Sequence, residues 1–276
     1  MLKYKGNSVW ISFIFLKNLL KLGKKNFVMT RIIILAAGKG TRMNSELPKV
    51  LVPLKNRPMI KYLLDSVVAS GIDSRPIVVV SPDNKEIISE ALSEYNIKYV
   101  VQDKQLGTGH AVACTQETIE QEEIKADKLI ILYGDHPFLK SESIKKFASL
   151  NPEAVTIMPT NLIDFADWRQ NFYHWGRIIC GANSKIEKIV EFKDASEEEK
   201  LVTKVNPGFM CFNAAWFFKN VFDLKNNNNQ REYYLTDMIK MAFEQGYEIG
   251  AVNIEAHEAM GVNSLEELAI AESLIN

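Results

Sequence analysis

Residues 31–43 read RIIILAAGKGTRM and join a short apolar segment directly to a glycine-rich turn. The first five of these residues are mostly β-branched, which is typical of a strand buried on both faces. Gly38 and Gly40 permit backbone conformations that other residues avoid, while Lys39 and Arg42 add positive charge. Because the N–H groups exposed by such a turn bind anions, we expect this turn to bind the phosphates of a triphosphate.

Two better-known glycine motifs do not fit this turn. The dinucleotide fingerprint G-x-G-x-x-G fails because Met43 stands where its third glycine should be. The phosphate loop G-x-x-x-x-G-K-[ST] fails because no second glycine followed by Lys and Ser or Thr is present. A strand followed by a glycine turn also serves as a simple connector in many α/β proteins. The longer pattern, L-A-A-G-x-G-T-R-M followed by L-P-K-V-L at residues 47–51, is more specific.

Composition limits the classes of protein that need to be considered. The chain has 276 residues, 47% of them hydrophobic, which is enough for one large α/β domain or two small ones. A net charge of −1 gives no general attraction for nucleic acid or an anionic membrane. Cys114, Cys180 and Cys211 are odd in number and far apart, so we expect reduced cysteines in a cytoplasmic protein.

The first 28 residues form an extension that we do not assign to the native fold. An apolar run at residues 9–16 follows Lys3 and Lys5 and resembles a signal peptide, but it is too short to span a bilayer and lacks a cleavage site. An amphipathic helix on a membrane surface is the alternative. We interpret Met29 as the natural start, expect no stable membrane insertion, and assign residues 29–276 to one domain.

Strand and helix patterns alternate through the first half of the chain. Apolar runs predict strands at residues 77–80, 97–101 and 128–132, and helical periodicity predicts helices at 59–70 and 85–94. This alternation predicts parallel pairing with right-handed crossovers. Ligands of such sheets bind beyond the carboxyl ends of the strands, so we expect a site at the loops after Leu35, Val101 and Leu132.

The loop after the third predicted strand, residues 102–111, reads QDKQLGTGHA. The side-chain amides of Gln102 and Gln105 offer a donor and an acceptor together, which suits the edge of a pyrimidine base. Gly107 would let backbone groups reach the same edge. Loop glutamines are more often simply solvated. We interpret His110 as the start of a helix and not as a catalytic base.

Asp135 follows the fourth predicted strand in the sequence Y-G-D-H-P. A carboxylate at this position can bind a divalent metal that carries phosphates, although Asp is also an ordinary loop residue. His136 is a weaker candidate because Mg²⁺ prefers oxygen ligands.

The second half of the chain is expected to supply a pocket for a second substrate. Its patterns predict a strand at 154–158, an aromatic-rich loop at 168–175, a β-hairpin from 176–180 and 188–192, helices at 214–224 and 234–245, and a strand at 248–252. A final helix is predicted to be capped by Ser264, with Glu267 three residues further on.

From about residue 30 onward the chain resembles the uridylyltransferase domain of bacterial N-acetylglucosamine-1-phosphate uridylyltransferases, a family of sugar nucleotidyltransferases. Besides the motifs above, the matches are G-R-I at 176–178, I-V-E-x-K-D at 189–194, N-x-G at 206–208, E-Y-Y-L-T-D at 232–237 and G-V-N at 261–263. The resemblance implies an α/β fold: a Rossmann-like, mostly parallel sheet flanked by helices, with a small β-rich sugar-binding lobe.

The resemblance also implies a role for each matching residue. Arg42 and Lys49 would be the catalytic residues and contact phosphates, and Asp135 and Asn263 would hold Mg²⁺. The residues implied to bind the nucleotide are Leu35, Ala37, Gly38, Gly40, Gln102, Gln105, Gly107 and Thr108. Those implied to bind the sugar are Tyr133, Gly176, Glu191 and Asn206. The expected partners are UTP and a sugar 1-phosphate, with self-association into a homo-oligomer as a further possibility and no nucleic acid.

Three departures from the family pattern qualify these expectations. Family members commonly carry a C-terminal acetyltransferase domain of hexapeptide repeats, which is not found in this sequence, so we expect no acetyl transfer. Trp175 replaces a usual Tyr and Pro207 replaces a usual Thr. The alternatives are therefore another sugar 1-phosphate, CTP in place of UTP, or a regulatory module that binds nucleotide without turnover.

Overall fold

The computed structural model describes residues 28–38, 40, 43 and 45–275, and a seven-stranded sheet lies at its centre. Nearly all of the predicted extension, residues 1–27, lies outside the described residues. In order across the sheet, the strands are β13 (Gly250–Ala251), β7 (Val155–Ile157), β12 (Met210–Asn213), β6 (Lys128–Tyr133), β1 (Thr30–Leu35), β4 (Ile77–Val80) and β5 (Lys98–Val101). Among these seven strands, β12 alone runs antiparallel to its neighbours.

Strand β1 sets the position of the glycine-rich turn. Leu35, its last residue, is in register with Val79 of β4 on one side and with Tyr133 of β6 on the other. The carboxyl ends of these parallel strands therefore meet at one edge of the sheet. The prediction that the loops after residues 35, 101 and 132 lie at a common edge is confirmed.

The side chains of β1 alternate between two hydrophobic layers. Ile33 and Leu35 pack into one core cluster, whereas Ile32 and Ile34 pack into another on the opposite face. Both faces are covered by helices, so a continuous apolar run is needed along the strand. The helices are α1 (Met59–Ser70), α2 (Lys85–Ala91), α3 (Thr108–Ala113), α4 (Gln116–Glu120), α5 (Ser141–Ala148), α6 (Glu197–Lys200), α7 (Ala214–Asn220), α8 (Asp237–Glu244), α9 (Ala256–Ala259) and α10 (Leu265–Leu274).

A smaller antiparallel sheet stands beside the central one. Its strands, in order, are β10 (Ile186–Val190), β9 (Gly176–Cys180), β11 (Lys204–Asn206) and β8 (Thr160–Asn161). A third core cluster that includes Met43, Phe172 and Val205 lies beneath it. Two short strands, β2 (Pro53–Leu54) and β3 (Arg57–Pro58), form a separate pair. The predicted fold, a mostly parallel α/β sheet with a small β-rich lobe, is confirmed.

The boundaries of the predicted hairpin were wrong for its second strand. That strand was expected at residues 188–192 but spans Ile186–Val190, and Ile186 pairs with Cys180. The turn is tight, because Gly181 donates its N–H to the carbonyl of Lys185 at 2.9 Å and Ser184 donates to Gly181 at 3.0 Å. The second strand therefore resumes immediately after Lys185.

The predicted helix at 234–245 begins three residues late, at Asp237. The backbone before it is engaged elsewhere: Tyr233 donates its N–H to the carbonyl of Leu106 and accepts from the N–H of Gly109, both at 2.8 Å. Leu235 donates its N–H to the hydroxyl of Thr108 at 3.1 Å. These contacts bind the segment to the loop after β5, and the carbonyls of Tyr234 and Leu235 accept turn-type hydrogen bonds from Asp237 and Met238 instead of α-helical ones.

Further boundaries also differ from the predictions: the helix predicted at 85–94 ends at Ala91, and the strand predicted at 154–158 spans Val155–Ile157. The helix predicted at 214–224 ends at Asn220, and the chain continues as a 3-10 turn over Val221–Asp223. The loop predicted at 168–175 contains a 3-10 helix, Asp167–Phe172. The strand predicted at 248–252 is reduced to Gly250–Ala251, because it lies at the sheet edge and pairs only with the three-residue strand β7.

Within the part of the chain that the structure describes, no helix is long and apolar enough to cross a membrane. Cys114, Cys180 and Cys211 are all free thiols that form no disulfide bond with one another.

Candidate active site

Two neighbouring cavities open at the carboxyl edge of the central sheet. The first has a volume of about 550 Å³ and the second a volume of about 210 Å³. Tyr133, Asp135 and Asn263 line both of them. The remaining predicted site residues in the first cavity are Leu35, Ala37, Gly38, Lys49, Gln102, Gln105, Gly107 and Thr108. Those in the second cavity are Gly176, Glu191 and Asn206.

One described residue among the predicted ones, Gly40, is absent from the lining of both cavities. Gly40 lies behind Lys49, with a φ of 60°, and a Cβ atom added there would be 2.5 Å from the Cβ of Lys49. A glycine is therefore needed at this position because Lys49 packs closely against the backbone, and not because the residue lines a cavity. Arg42 lies outside the described residues.

Lys49 stands where the two cavities meet. It begins a short 3-10 turn, Lys49–Leu51, directly after Pro48. Its ammonium group forms an ion pair with Asp135 and donates a hydrogen bond to the Oδ1 atom of Asn263 at 2.9 Å. The side chain of Asp135 is only 8% exposed. The cation and its two oxygen partners are thus held together away from bulk water.

The residues predicted to hold a metal have the geometry and the chemistry for one. Asp135 and Asn263 each direct an oxygen at the same cationic group, the Lys49 ammonium. Two oxygens that contact one cation can contact another, and oxygen is the donor that Mg²⁺ prefers. Among the described residues, no three His, Cys, Asp or Glu side chains converge.

His136 contacts the other oxygen of Asp135. Its Nδ1 atom lies 2.9 Å from the Oδ1 atom of Asp135, and its ring packs edge-on against Trp175 and Phe209. Burial by itself would raise the pKa of Asp135, but the attraction of Lys49 and His136 holds this pKa far below its usual range. Asp135 is therefore ionised and oriented on both sides.

The backbone fixes the distance between Asp135 and Asn263. Val262 donates its N–H to the carbonyl of Asp135 at 2.9 Å. The next N–H, that of Asn263, is held by the carboxylate of Glu267 at 2.5 Å. The predicted cap is present as well, since Glu267 donates its own N–H to the hydroxyl of Ser264 at 3.2 Å. The sequence showed Glu267 as part of a helix cap, but not as the residue that positions Asn263.

In the first cavity, the loop after β5 is closely packed. Gln105 donates a hydrogen bond to the carbonyl of Ala37, which joins this loop to the glycine-rich turn. Gly107 has a φ of 110°, and a Cβ atom there would be 2.7 Å from the carbonyl oxygen of Tyr233. A larger residue at this position would push away the segment that closes the loop.

The second cavity contains a partly buried carboxylate, that of Glu191. Thr236 donates a hydrogen bond to Glu191 at 2.9 Å, and burial raises the pKa of Glu191. Asn206 accepts a hydrogen bond from the N–H of Gly208 at 3.1 Å. Thr236 was not predicted as a site residue, although it lies within the E-Y-Y-L-T-D motif. Trp175 and Pro207, the two departures from the family pattern, also line this cavity.

Arg177 supports one wall of the second cavity from behind. Its guanidinium is fully buried and donates to the carbonyls of Tyr173, at 2.7 Å, and of Trp175. It also lies 4.7 Å from the centre of the Phe165 ring. Because these contacts hold the backbone on both sides of His174, they fix the loop that lines the cavity. No local pattern predicts this role, because Arg177 belongs to the G-R-I motif but its partners are backbone carbonyls.

A sheet edge that carries a glycine-rich turn, a lysine between two oxygen ligands and two adjoining cavities indicates a nucleotidyltransferase. The chain belongs to the family of MobA-like NTP transferase domains, which its residues 32–193 match. Its fold also matches a crystal structure from Bacillus anthracis assigned as a glucose-1-phosphate thymidylyltransferase, with a TM-score of 0.68 over 89% of this chain and 94% of the other, at 17% sequence identity.

Within this family, the chain is similar to the bifunctional protein GlmU of several bacteria. It is 38% identical to the protein of Caldicellulosiruptor saccharolyticus over 241 residues, which are 87% of this chain and 50% of the relative. It is 39% identical to that of Clostridium kluyveri over 243 residues, which are 88% of this chain and 51% of the relative. The chain thus spans about half the length of the curated relatives it matches.

Proposed function

We propose that this protein transfers a uridylyl group from UTP to N-acetylglucosamine 1-phosphate, giving UDP-N-acetylglucosamine and pyrophosphate. The observation that carries the proposal is the meeting of Lys49, Asp135 and Asn263 at the junction of two cavities. A transferase for two substrates needs two adjoining pockets, with charge-stabilising groups where the reacting atoms meet. The nucleotide would occupy the first cavity and the sugar phosphate the second.

The chemical step is an attack by a phosphate oxygen of the sugar phosphate on the α-phosphorus of UTP. A bond forms between these atoms as the bond to pyrophosphate breaks. The attacking oxygen is already ionised at neutral pH, so the step needs no general base and no covalent protein intermediate. This agrees with a junction that offers a lysine, a carboxylate and an amide instead of a nucleophilic side chain.

The main obstacle is the repulsion between two anionic reactants. Two unit charges 4 Å apart repel by about 4 kcal/mol at an effective dielectric constant of 20. Lys49 supplies positive charge at the junction. The N–H groups of the glycine-rich turn are proposed to add fixed dipoles. Arg42 is also predicted to contact a phosphate, but it lies outside the described residues. Asp135 and Asn263 would hold Mg²⁺, which when bound neutralises phosphate charge and orients the triphosphate.

Glu191, Asn206 and Gly176 are proposed to contact the sugar in the second cavity. Glu191 and Asn206 offer a carboxylate and an amide to hydroxyl and amide groups, and Tyr133 forms the wall toward the nucleotide. Trp175 and Pro207 line the same cavity. Because they change its surface relative to the family pattern, the sugar is the part of the proposal that most needs a direct test.

The test is a grid of nucleoside triphosphates against sugar 1-phosphates, with formation of nucleotide sugar and of pyrophosphate measured separately. We expect the highest kcat/KM for UTP with N-acetylglucosamine 1-phosphate, and no product once a chelator has removed Mg²⁺. A different preferred pair would replace the proposed substrates but keep the reaction. Nucleotide binding without product in any pair would identify a non-catalytic binding module instead. We expect the reaction to take place in the cytoplasm.

A further inference from the structure

The amide nitrogen of Gln102 is held by two partners. It lies 3.1 Å from the carbonyl oxygen of Gly107 and 3.1 Å from the Nδ1 atom of His110. The residue directly follows β5, its own N–H donates to Val80 at 2.8 Å, and it is only 3% exposed. The side chain is therefore buried at its base and lines the first cavity.

These two contacts determine which end of the amide faces which neighbour. A carbonyl oxygen can only accept, so the group next to Gly107 must be the NH₂ of Gln102. That group has two hydrogens, and the second one is directed at Nδ1 of His110. Nδ1 must then accept, so the ring is neutral with its proton on Nε2. In agreement, burial lowers the pKa of His110, which favours the neutral ring.

With both N–H groups occupied, the oxygen of the Gln102 amide is left to meet a ligand. This oxygen makes no hydrogen bond within the described residues. We propose that His110 is a positioning residue that holds the Gln102 amide with its oxygen available to the first cavity, and that it thereby sets the choice between uracil and cytosine. The proposal rests on the proposed function, in which this cavity receives the pyrimidine base.

The chemical basis is the opposite pattern of the two bases. Uracil has a donor at N3 and an acceptor at position 4, whereas cytosine has an acceptor at N3 and a donor at position 4. If the Gln102 oxygen faces N3 of the base, it can accept a hydrogen bond from uracil but is repelled by the lone pair of cytosine. For a uridylyltransferase, the Gln102 oxygen would accept the N3–H of uracil. Loss of the His110 acceptor would leave a buried N–H without a partner and release the amide from its orientation.

The first experiment compares two variants of the full chain. His110→Leu has a similar volume but removes the acceptor, whereas His110→Asn can place an amide oxygen near the position of Nδ1. UTP and CTP are titrated calorimetrically without sugar phosphate, so that no turnover occurs. We expect His110→Leu to reduce the wild-type preference between the two nucleotides by about tenfold, the scale of one lost buried hydrogen bond. His110→Asn should stay within about threefold of the wild type.

Steady-state kinetics distinguish positioning from general damage. In His110→Leu, the KM for UTP should rise, while kcat at saturating UTP and the KM for the sugar phosphate stay within about twofold. A purely structural role would instead lower kcat for every substrate pair together with the melting temperature, and that result would overturn the proposal. An unchanged nucleotide preference in His110→Leu, or a wild-type protein without any preference, would also overturn it.

A measurement on the wild type covers the case in which His110→Leu does not fold. Nitrogen-15 chemical shifts of the histidine rings report the tautomer, and we expect the His110 ring to carry its proton on Nε2. A proton on Nδ1 would overturn the proposal. If no nucleotide sugar is formed but His110→Leu still loses the nucleotide preference, the proposed function fails while the role of His110 stands.

Discussion

Lys49 donates a hydrogen bond from its ammonium group to the Oδ1 atom of Asn263 at 2.9 Å, although the two residues are 214 positions apart in the sequence. The same ammonium pairs with Asp135, 86 positions away. Three distant segments thus converge on one point at the junction of the cavities. The lysine thus contacts the two side-chain oxygens that are proposed to hold Mg²⁺.

This arrangement predicts that Lys49 competes with the metal. In Lys49→Met, the repulsion between ammonium and cation is absent and Asp135 has lost a partner, so the affinity for Mn²⁺ without nucleotide should rise by about tenfold. Electron paramagnetic resonance of free Mn²⁺ measures this affinity. Lys61→Met is the matched control, because Lys61 pairs with Glu94 at 3.0 Å, away from both cavities. Equal Mn²⁺ affinities in the two variants would contradict competition between Lys49 and the metal for Asp135 and Asn263.

Activity should depend on the same groups for a different reason. Lys49→Ala and Asp135→Ala should each lower kcat/KM by about 10²- to 10³-fold, the scale of removing one preorganised electrostatic group. The assay is pyrophosphate release with UTP and the preferred sugar phosphate in saturating Mg²⁺. The Lys61→Met control should retain wild-type activity. Catalytic variants within about threefold of the wild type would count against the proposed roles.

Glu191 should make stability depend on pH. Its pKa is raised by burial above the usual 4.5, so the native state keeps this proton after the unfolded state has lost it. Stability attributable to Glu191 therefore falls as pH rises from the unfolded pKa through the folded one. Glu191→Gln removes this cost and retains an acceptor for Thr236, so its melting temperature should increasingly exceed that of the wild type as pH rises above 4.5.

The control for this comparison is Glu90→Gln, an exposed position on α2. Its melting temperature should follow that of the wild type at every pH. If Glu191→Gln also follows the wild type across the range, burial of the Glu191 carboxylate does not oppose its ionisation.

Gly208→Ala should destabilise the protein by displacing the ring of Tyr133, which lines both cavities. Gly208 has a φ of 95°, and a Cβ atom there would be 2.5 Å from the Tyr133 ring. Gly246→Ala is the matched control: Gly246 has a φ of 86°, but a Cβ atom would find nothing within 4 Å. Both variants carry backbone strain of about 1 kcal/mol, while Gly208→Ala should lose about 1–3 kcal/mol more through the clash.

Denaturant unfolding of the two glycine variants measures this difference directly. Gly208→Ala should also raise the KM values for both substrates, since Tyr133 lines both cavities. Equal losses of unfolding free energy in the two variants would show that the Tyr133 ring can move aside without destabilising the protein.

The sequence was most informative where a local pattern specifies the structure. The β-branched run at residues 31–35 and the apolar runs at 77–80 and 128–132 predicted neighbouring strands of the central sheet, because strands buried on both faces have few alternatives. Gly71 ends α1 with a φ of 66°, as a glycine after the last apolar turn predicts.

The sequence was least informative where distant segments determine a boundary or an orientation. The start of α8 moved to Asp237 because the backbone near Tyr233 bonds to the loop after β5, a contact that no local pattern contains. Similarly, Glu267 could be predicted as part of a helix cap, but its contact with Asn263 depends on the approach of this loop to Asp135. The role of Arg177 behind the second cavity also depends on tertiary contacts. Its hydrogen-bond partners are backbone carbonyls, which no side-chain pattern in the sequence identifies.

The shared wall between the cavities separates two sets of residues that come from different parts of the fold. Most residues found only in the first cavity come from the segments after β1 and β5 of the central sheet, whereas Gly176, Glu191 and Asn206 come from the small sheet or directly follow it. Under the proposed function, the residues of the small sheet that contact the sugar can therefore change while the residues after β1 and β5 that contact the nucleotide are retained. Trp175 and Pro207, which depart from the family pattern, line only the second cavity. Exchanging the small sheet and the loops that line this cavity between relatives therefore offers a route to new sugar nucleotides.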